Sequence, residues 1–316
     1  MPDKIAVIGS SFIDCKSYLK DVYDPQGKNY GKTEFVHGGI GRNIAENMAD
    51  LDCEVSFIST IDNSSFGLDM AEKLKNKGVE TEHLLPVKEG AMGIWTAMIN
   101  HEGLLQCSVT QLPDFGHLEK YLEKYAEKFA KFYPAVLLEL DMSEKITSKV
   151  ISAFKKHKRN IFVYGSNPDK AVSDHNLYSH ISCIVVNEDV AAKMLGQDIR
   201  QMEVHIIQKA LKEFIQQHEI ERGIITLNKR GSVFYDNLSN QSGYIEPIET
   251  EVIDTSGAGE ALFAATTAAV LQGLSLKDAV TIGADYAGAA IAQTSNNPVD
   301  REKISKIKED LKKTTN

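Results

Sequence analysis

A chain of 316 residues with 42% hydrophobic and 25% charged residues has the make-up of a folded globular protein, which excludes disorder and leaves room for one large domain with a small appendage. A net charge of −9 excludes an extended basic surface for nucleic acid or anionic lipid, though not a local phosphate pocket. Cys15, Cys53, Cys107 and Cys183 show no paired metal spacing, no apolar run is long enough to cross a membrane, and "MPDKIAVIGSSF" lacks a signal-peptide layout, so the expectation is a cytoplasmic protein with reduced thiols.

In chain order, "KIAVIG" (4 to 9) reads as a first strand, and residues 15 to 36 as "KSYL" and "KTEFV" around the turn "DPQGKNYG". An amphipathic "GRNIAENMADL" then leads to a strand "EVSFIS" (54 to 59) and a helix "SFGLDMAEKLKNKG". Residues 92 to 110 read as two strands, "MGIWTAMIN" and "LLQCSVT", joined at "HEG". Together with 15 to 36 they predict a small antiparallel sheet inserted into the main domain. The sole tryptophan, Trp95, either packs this sheet or faces a ligand. Next come "HLEKYLEKYAEKFAKF", a solvated helix with i, i+4 charge pairs, and strands "AVLLEL" (135 to 140), "NIFVYG" (160 to 165), "CIVVN" (183 to 187) and "GIITL" (223 to 227), with the helix "QMEVHIIQKALKEFIQQH" before the last. Strands alternating with helices predict a mainly parallel sheet covered on both faces, with ligands beyond the carboxyl ends of the strands.

Two glycine clusters stand out. In "HGGIGRNIAENMA", Gly38 and Gly39 precede a helix, where only glycine permits close backbone approach or positive φ cheaply. In "DTSGAGEALFAA", Gly257, Ala258 and Gly259 open a helix, so that backbone N–H groups gather where a phosphate can sit. Glu260 directly behind them is either a base for an incoming hydroxyl or an acid favoured by the helix dipole. "IGSSFID" offers one glycine only, which argues against a dinucleotide fingerprint.

Taken together, "IGSSFID", "GGIGRNIA", "VVNED", "TLNKRG" and "DTSGAGE" occur in the order found in the ribokinase-like, phosphofructokinase-B-type carbohydrate kinases, which the chain resembles over nearly its whole length. The resemblance implies an αβα sandwich with a mainly parallel central sheet and a small β lid, all of 1 to 316 forming one kinase domain. It implies ATP and Mg2+ as cofactors, with K+ as a further cation, and a homodimer through the lid. Carried over by position, it makes Asp14, Gly38, Gly39, Arg42 and Asn43 substrate-site candidates, Gly257, Ala258 and Gly259 an anion hole, and Glu260 the catalytic base. Asn187, Thr226, Asn228, Gly231 and Asn297 become nucleotide-site candidates, together with Gly257 and Gly259, and Glu188, Asp254 and Ser256 cation-site candidates. Arg42, with Asn47 four residues after Asn43, looks like the pseudouridine kinase branch, which implies conversion of pseudouridine to pseudouridine 5'-phosphate.

The chain departs from that pattern at Glu260, where aspartate is usual, and at Val190, where a glutamate that organises magnesium is usual. Asn228 replaces a glycine, and "FVYGSNPDK" lacks the customary aspartate-proline. Two functional readings therefore stand: an ATP-dependent kinase acting on a sugar or nucleoside hydroxyl, and a ligand-binding homologue with weak or no catalysis.

Overall fold

The computed structural model describes residues 4–88, 90–100, 104–170, 175–248, 256–291, 305–309 and 311. Its frame is a nine-stranded sheet. Strand β1 (Ile5–Ile8) leads into β2 (Phe12–Leu19) and β3 (Gly31–Gly38), then helix α1 (Ile40–Asp50), β4 (Val55–Asp62), α2 (Ser65–Asn76) and β5 (Leu84–Val87). The chain continues through β6 (Gly93–Ile99), β7 (Leu105–Gln111), α3 (Gly116–Phe132), β8 (Ala135–Glu139), α4 (Glu144–Lys156), β9 (Asn160–Gly165) and β10 (Cys183–Asn187). It ends with α5 (Glu188–Leu195), α6 (Val204–Gln217), β11 (Arg222–Thr226), β12 (Ser232–Asp236), β13 (Gln241–Ile245), α7 (Ala258–Leu271) and α8 (Leu276–Ile291).

The sheet order is β13-β12-β11-β10-β9-β8-β1-β4-β5. Every neighbouring pair from β11 to β5 is parallel, and β12 and β13 add an antiparallel edge. Alternate side chains of each inner strand point to opposite faces. Val7, Leu137 and Phe162 pack with α1, α2, α7 and α8 on one face, while Ile8, Leu138 and Val163 pack with α3, α4, α5 and α6 on the other. Strands buried on both sides must read as continuous apolar runs, which is how "IAVI" and "AVLL" read. Helix α7 is buried along Ala261–Ala269 because the sheet covers one side and α8 the other. Its alanines and Gly283 of α8 allow that approach, since a Cβ on Gly283 would lie 2.1 Å from Thr266 Oγ1. Among the described residues no helix is long and apolar enough to cross a membrane.

The second sheet, ordered β3-β2-β6-β7, is the lid. Its outer pairs are antiparallel, but its central pair, β2 with β6, is parallel, which corrects the expected all-antiparallel sheet. The reason is topological: β2 follows β1 and β6 follows β5, and both enter the lid from the same edge of one parallel sheet. Three strands of the main sheet, β5, β12 and β13, also escape the sequence reading. "LLPV" is a four-residue edge strand in which Pro86 loses a ladder donor, and "QSGYI" is largely exposed.

At the middle of the sheet the chain reverses its direction of winding, outward through β4 and β5 on one side of β1 and outward through β8 to β11 on the other. Such a switch opens a crevice at the carboxyl ends of the strands. Here the crevice is closed from below by a backbone contact. A Cβ on Gly9 would lie 2.5 Å from Gly41 Cα and 2.7 Å from Glu139 Oε2. The buried Glu139 carboxylate, at the end of β8, accepts from Ser10 N (2.7 Å), Gly41 N (3.0 Å) and Ser10 Oγ (2.9 Å). It thus ties the turn after β1 to the first turn of α1. Burial, aided by the Asp141 carboxylate, outweighs these three donors and pushes the Glu139 pKa up to about 8.

Two measurements check this junction. Gly9→Ala is expected to lower stability by about 1–3 kcal/mol through overpacking against backbone, whereas Gly165→Ala, whose Cβ would meet only ordinary contacts at 3.5 Å or more, is expected to be neutral or stabilising by up to about 1 kcal/mol; thermal denaturation by circular dichroism distinguishes them. A carboxyl group whose pKa is raised on folding contributes its full stability at low pH and loses it as pH climbs towards the folded value. Glu139→Gln should therefore gain on wild type between pH 5 and pH 8, by at least about 1.4 kcal/mol, the equivalent of one pKa unit. Parallel melting curves across that range would refute the shift.

Candidate active site

The start of α1 is shaped by two glycines with different tasks. Gly39 caps the helix at φ 102°, and a Cβ there would strike Ser10 O at 2.6 Å and Ser11 Cα at 2.7 Å. Gly38 leaves room for Asp14, whose carboxyl oxygens would lie 2.4 and 2.6 Å from any Cβ at that position. Asp14 thus lies over the entrance to α1. Across β2 and β6, Asp14 is in register with Trp95, so the acid and the half-buried indole share one face of the lid.

Behind the glycines, Arg42 donates its backbone N–H to Ser10 O at 3.2 Å and pairs its guanidinium with Glu46. Its Nε is buried without a hydrogen-bond partner among the described residues. Asn43 reaches across to the other helix start, where its amide acts on the Glu260 carboxyl and favours its charged form. Asn47 faces elsewhere: its Nδ2 donates to Asn43 O at 2.8 Å, and its Oδ1 accepts from Tyr286 at 3.2 Å, which ties α1 to α8.

Helix α7 opens on Gly257, left-handed at φ 82°, and among the described residues only Asn43 Nδ2 lies near its missing Cβ, at 3.6 Å. Gly259 sits on the Tyr164 hydroxyl, which would be 2.1 Å from a Cβ. Ala258 and Glu260 complete the first turn. Burial raises the Glu260 pKa, and Asp141 adds to the rise; its own backbone N–H, the Asn43 amide and the Arg42 charge oppose it. Asp141, just beyond β8, accepts from Ser166 Oγ (2.6 Å), Ser166 N (3.1 Å) and Asn167 N (3.1 Å), yet burial still raises its pKa. The carboxylates of Glu139, Asp141 and Glu260 all act on the Tyr164 hydroxyl, which burial and these charges hold well above the usual phenol range.

Glu139, Asp141 and Tyr164 are absent from the sequence-derived candidates. The signal was present as polar residues ending apolar runs, in "LLELD" and "FVYGS", because a strand's carboxyl end is where a buried apolar run meets the crevice.

The remaining candidates lie along the ends of β10 and β11. Asn187 caps α5, accepting from Val190 N at 2.9 Å and donating to Ser166 O at 2.8 Å, so both ends of its amide serve the backbone. Glu188 pairs with Arg230 and accepts from Asn228 Nδ2 at 3.3 Å. Val190 is buried. Thr226 ends β11, and the turn that follows has Asn228 left-handed at φ 52° and Gly231 at φ 78°; a Cβ on Gly231 would meet Ile245 O at 2.1 Å. Ser256 is exposed ahead of α7, whereas Asp254 and Asn297 lie outside the described residues. Among the described residues no three His, Cys, Asp or Glu side chains gather as a metal-binding group, and Glu188 is already paired.

Comparison with known proteins agrees with this arrangement. The pfkB family of carbohydrate kinases matches residues 2–302. Guanosine-inosine kinase of Exiguobacterium acetylicum is 28% identical over 94% of this chain and 97% of its own length. Pseudouridine kinase of Escherichia coli is 24% identical over 94% and 93%. Among solved structures, ribokinase from Giardia lamblia superposes with a TM-score of 0.82 at 19% identity, covering 99% of both chains, and Arabidopsis thaliana ribokinase complexed with ribose and ATP with a TM-score of 0.78 at 19%, covering 98% and 99%. A lidded αβα sheet, two helix starts meeting at its carboxyl edge and a family match across almost the whole sequence lead to one conclusion: the chain belongs to the pfkB family of carbohydrate kinases.

Proposed function

We propose that the protein, acting as one kinase domain over 1–316, transfers the γ-phosphoryl group of ATP to a ribose hydroxyl of a ribonucleoside. The observation that carries this reading is the approach of Asn43 Nδ2 to the Gly257 turn, 3.6 Å from the missing Cβ, because it joins the acceptor-side helix start to the glycine turn in front of Glu260. Asp14, Gly38, Gly39, Arg42 and Asn43 would hold the acceptor, and the N–H groups of Gly257, Ala258 and Gly259 the transferred phosphoryl group. Asn187, Thr226, Asn228, Gly231 and Asn297 would border the nucleotide. Magnesium would arrive on the nucleotide phosphates, and K+ would fall to Asp254 and Ser256.

ATP supplies the phosphoryl group when bound. Glu260 takes the proton from the attacking hydroxyl as its oxygen bonds to phosphorus and the bond to the bridging oxygen breaks, releasing ADP. Positive helix ends at α1 and α7 favour the anionic group there. The raised pKa of Glu260 makes it a stronger base than an exposed carboxylate, at the cost of activity on the acid side.

A nucleoside is preferred to a free sugar for two reasons. Trp95 shares a lid face with Asp14, which puts a flat apolar ring beside the acceptor hydroxyl, and two relatives are nucleoside kinases by name. Pseudouridine, suggested by Arg42 and Asn47, and the purine nucleosides guanosine and inosine are then the first acceptors to compare. The exposed lid residues Phe35, Val36, Ile94, Leu105 and Val109 support a homodimer through the lid.

A coupled ADP-release assay with pseudouridine, guanosine, inosine, uridine and ribose, with Mg2+ and K+ present, is expected to show turnover that favours a nucleoside over ribose. Glu260→Gln should lower kcat by about 10²- to 10⁴-fold and remove the rise of activity with pH that Glu260 deprotonation imposes on wild type. Nucleoside binding without turnover above the Glu260→Gln background would mark a ligand-binding homologue instead. Trp95→Ala should raise the nucleoside KM about tenfold or more, since base stacking is worth about 1–3 kcal/mol, and leave ribose unaffected. For the dimer, light scattering should give twice the chain mass, and Val109→Lys should halve it.

A further inference from the structure

Tyr164 is a large buried side chain that none of the roles above uses. It stands on β9 directly in register with Glu139 of β8, and both side chains point to the face covered by α1 and α7. The two perform parallel tasks on adjacent rungs. Glu139 seats the start of α1 through Gly41 N, and Tyr164 lies under the start of α7. Its ring packs against Phe263, with centroids 5.5 Å apart, and its hydroxyl fills the space that a Cβ on Gly259 would need. Gly259 and Phe263 are one helical turn apart and straddle Glu260. The phenol therefore lies along the underside of the turn that carries Glu260.

We propose that Tyr164 is a positioning residue for Glu260: its phenol is a strut that holds the first turn of α7 away from the sheet, at the height from which a glutamate side chain reaches the acceptor hydroxyl. This rests on the proposed kinase function. The strut and the acid are matched in length. A glutamate carboxylate extends about 1.5 Å further than that of aspartate, one C–C bond, and a turn lifted by a phenol needs that extra reach. Burial, with the surrounding carboxylates, keeps the phenol protonated, so the strut remains neutral among three acids. Gly259 follows from the same arrangement, because any side chain there would collide with the hydroxyl that supports the turn.

The test combines two pairs of substitutions. In the first, kcat and KM are measured for the best nucleoside acceptor in wild type, Glu260→Asp, Tyr164→Leu and the double variant. With Tyr164 present, shortening the acid should cost about 100-fold in kcat, the effect of a misplacement on the order of 1 Å, with nucleoside KM nearly unchanged. With Tyr164→Leu, the same shortening should cost less than tenfold or raise kcat. An equal penalty in both backgrounds would overturn the proposal. The second pair remains informative if Tyr164→Leu does not fold. Gly259→Ala should lower both melting temperature and kcat, and adding Tyr164→Phe, which removes the hydroxyl and leaves the ring carbon Cζ 3.0 Å from the new Cβ, should restore part of the melting temperature and at least tenfold of the kcat. Failure of Tyr164→Phe to rescue the melting temperature would remove the strut itself, independently of catalysis. A wild-type protein without turnover on any acceptor, with the melting-temperature rescue intact, would instead overturn the kinase reading and with it the role in positioning a base.

Discussion

The site depends first on the absence of two side chains. Because Gly9 and Gly41 carry no Cβ, the turn after β1 and the first turn of α1 touch backbone to backbone, and one carboxylate, Glu139, can accept N–H groups from both. That contact fixes where α1 begins. The position of α1 places Asn43, Asn43 stands against the Gly257 turn, and that turn is the start of α7. A displacement at Gly9 would therefore travel through Glu139, α1 and Asn43 to the far helix, although Gly9 itself approaches no ligand candidate.

The electrostatics of the crevice follow from the same packing. Three carboxylates, Glu139, Asp141 and Glu260, lie close enough to raise one another or the phenol between them. Concentrating acids in this way is unfavourable unless each has compensation. Glu139 and Asp141 have backbone N–H groups, and Glu260 has its own N–H, the Asn43 amide and the nearby Arg42. Both helix starts point their positive ends into the crevice. These donors offset part of the cost, burial still raises all three pKa values, and both effects reduce the negative charge that an incoming anion meets beside the N–H groups of the α7 turn.

The sequence was most informative where the backbone itself makes the site. Gly38, Gly39, Gly257 and Gly259 are visible as punctuation, because positive φ and close approach require glycine whatever the tertiary context. Asp14 and Asn43 enter as candidates only through the family resemblance, since spacing alone leaves each equally well explained as a structural residue. Glu139, Asp141 and Tyr164 are not, since each ends an apolar strand and acquires its meaning only from what lies across the crevice. Asn187 and Glu188 show the converse. They are polar residues at a strand end, but the structure commits Asn187 to the local task of capping α5 and Glu188 to Arg230, a partnership that spans 42 residues and has no local signature. The parallel pairing inside the lid is hidden for a similar reason: its two strands are far apart in sequence, and their relative direction is set by the main sheet.

The lid meets α2 along β3, where the Phe35 and Phe66 rings lie 5.5 Å apart and His37 Nε2 is 3.2 Å from Asp69. Asp69 also holds Lys73 at 2.8 Å, so it keeps a cation if His37 departs. Parting β3 from α2 thus forfeits one exposed aromatic pair, worth about 0.5–1.5 kcal/mol, and the contact of an imidazole that burial pushes towards its neutral form. Helix α2 accordingly works as a detent: what seats this edge of the lid is a small surface contact of one ring pair and one imidazole, separate from the rigid junction beneath the crevice.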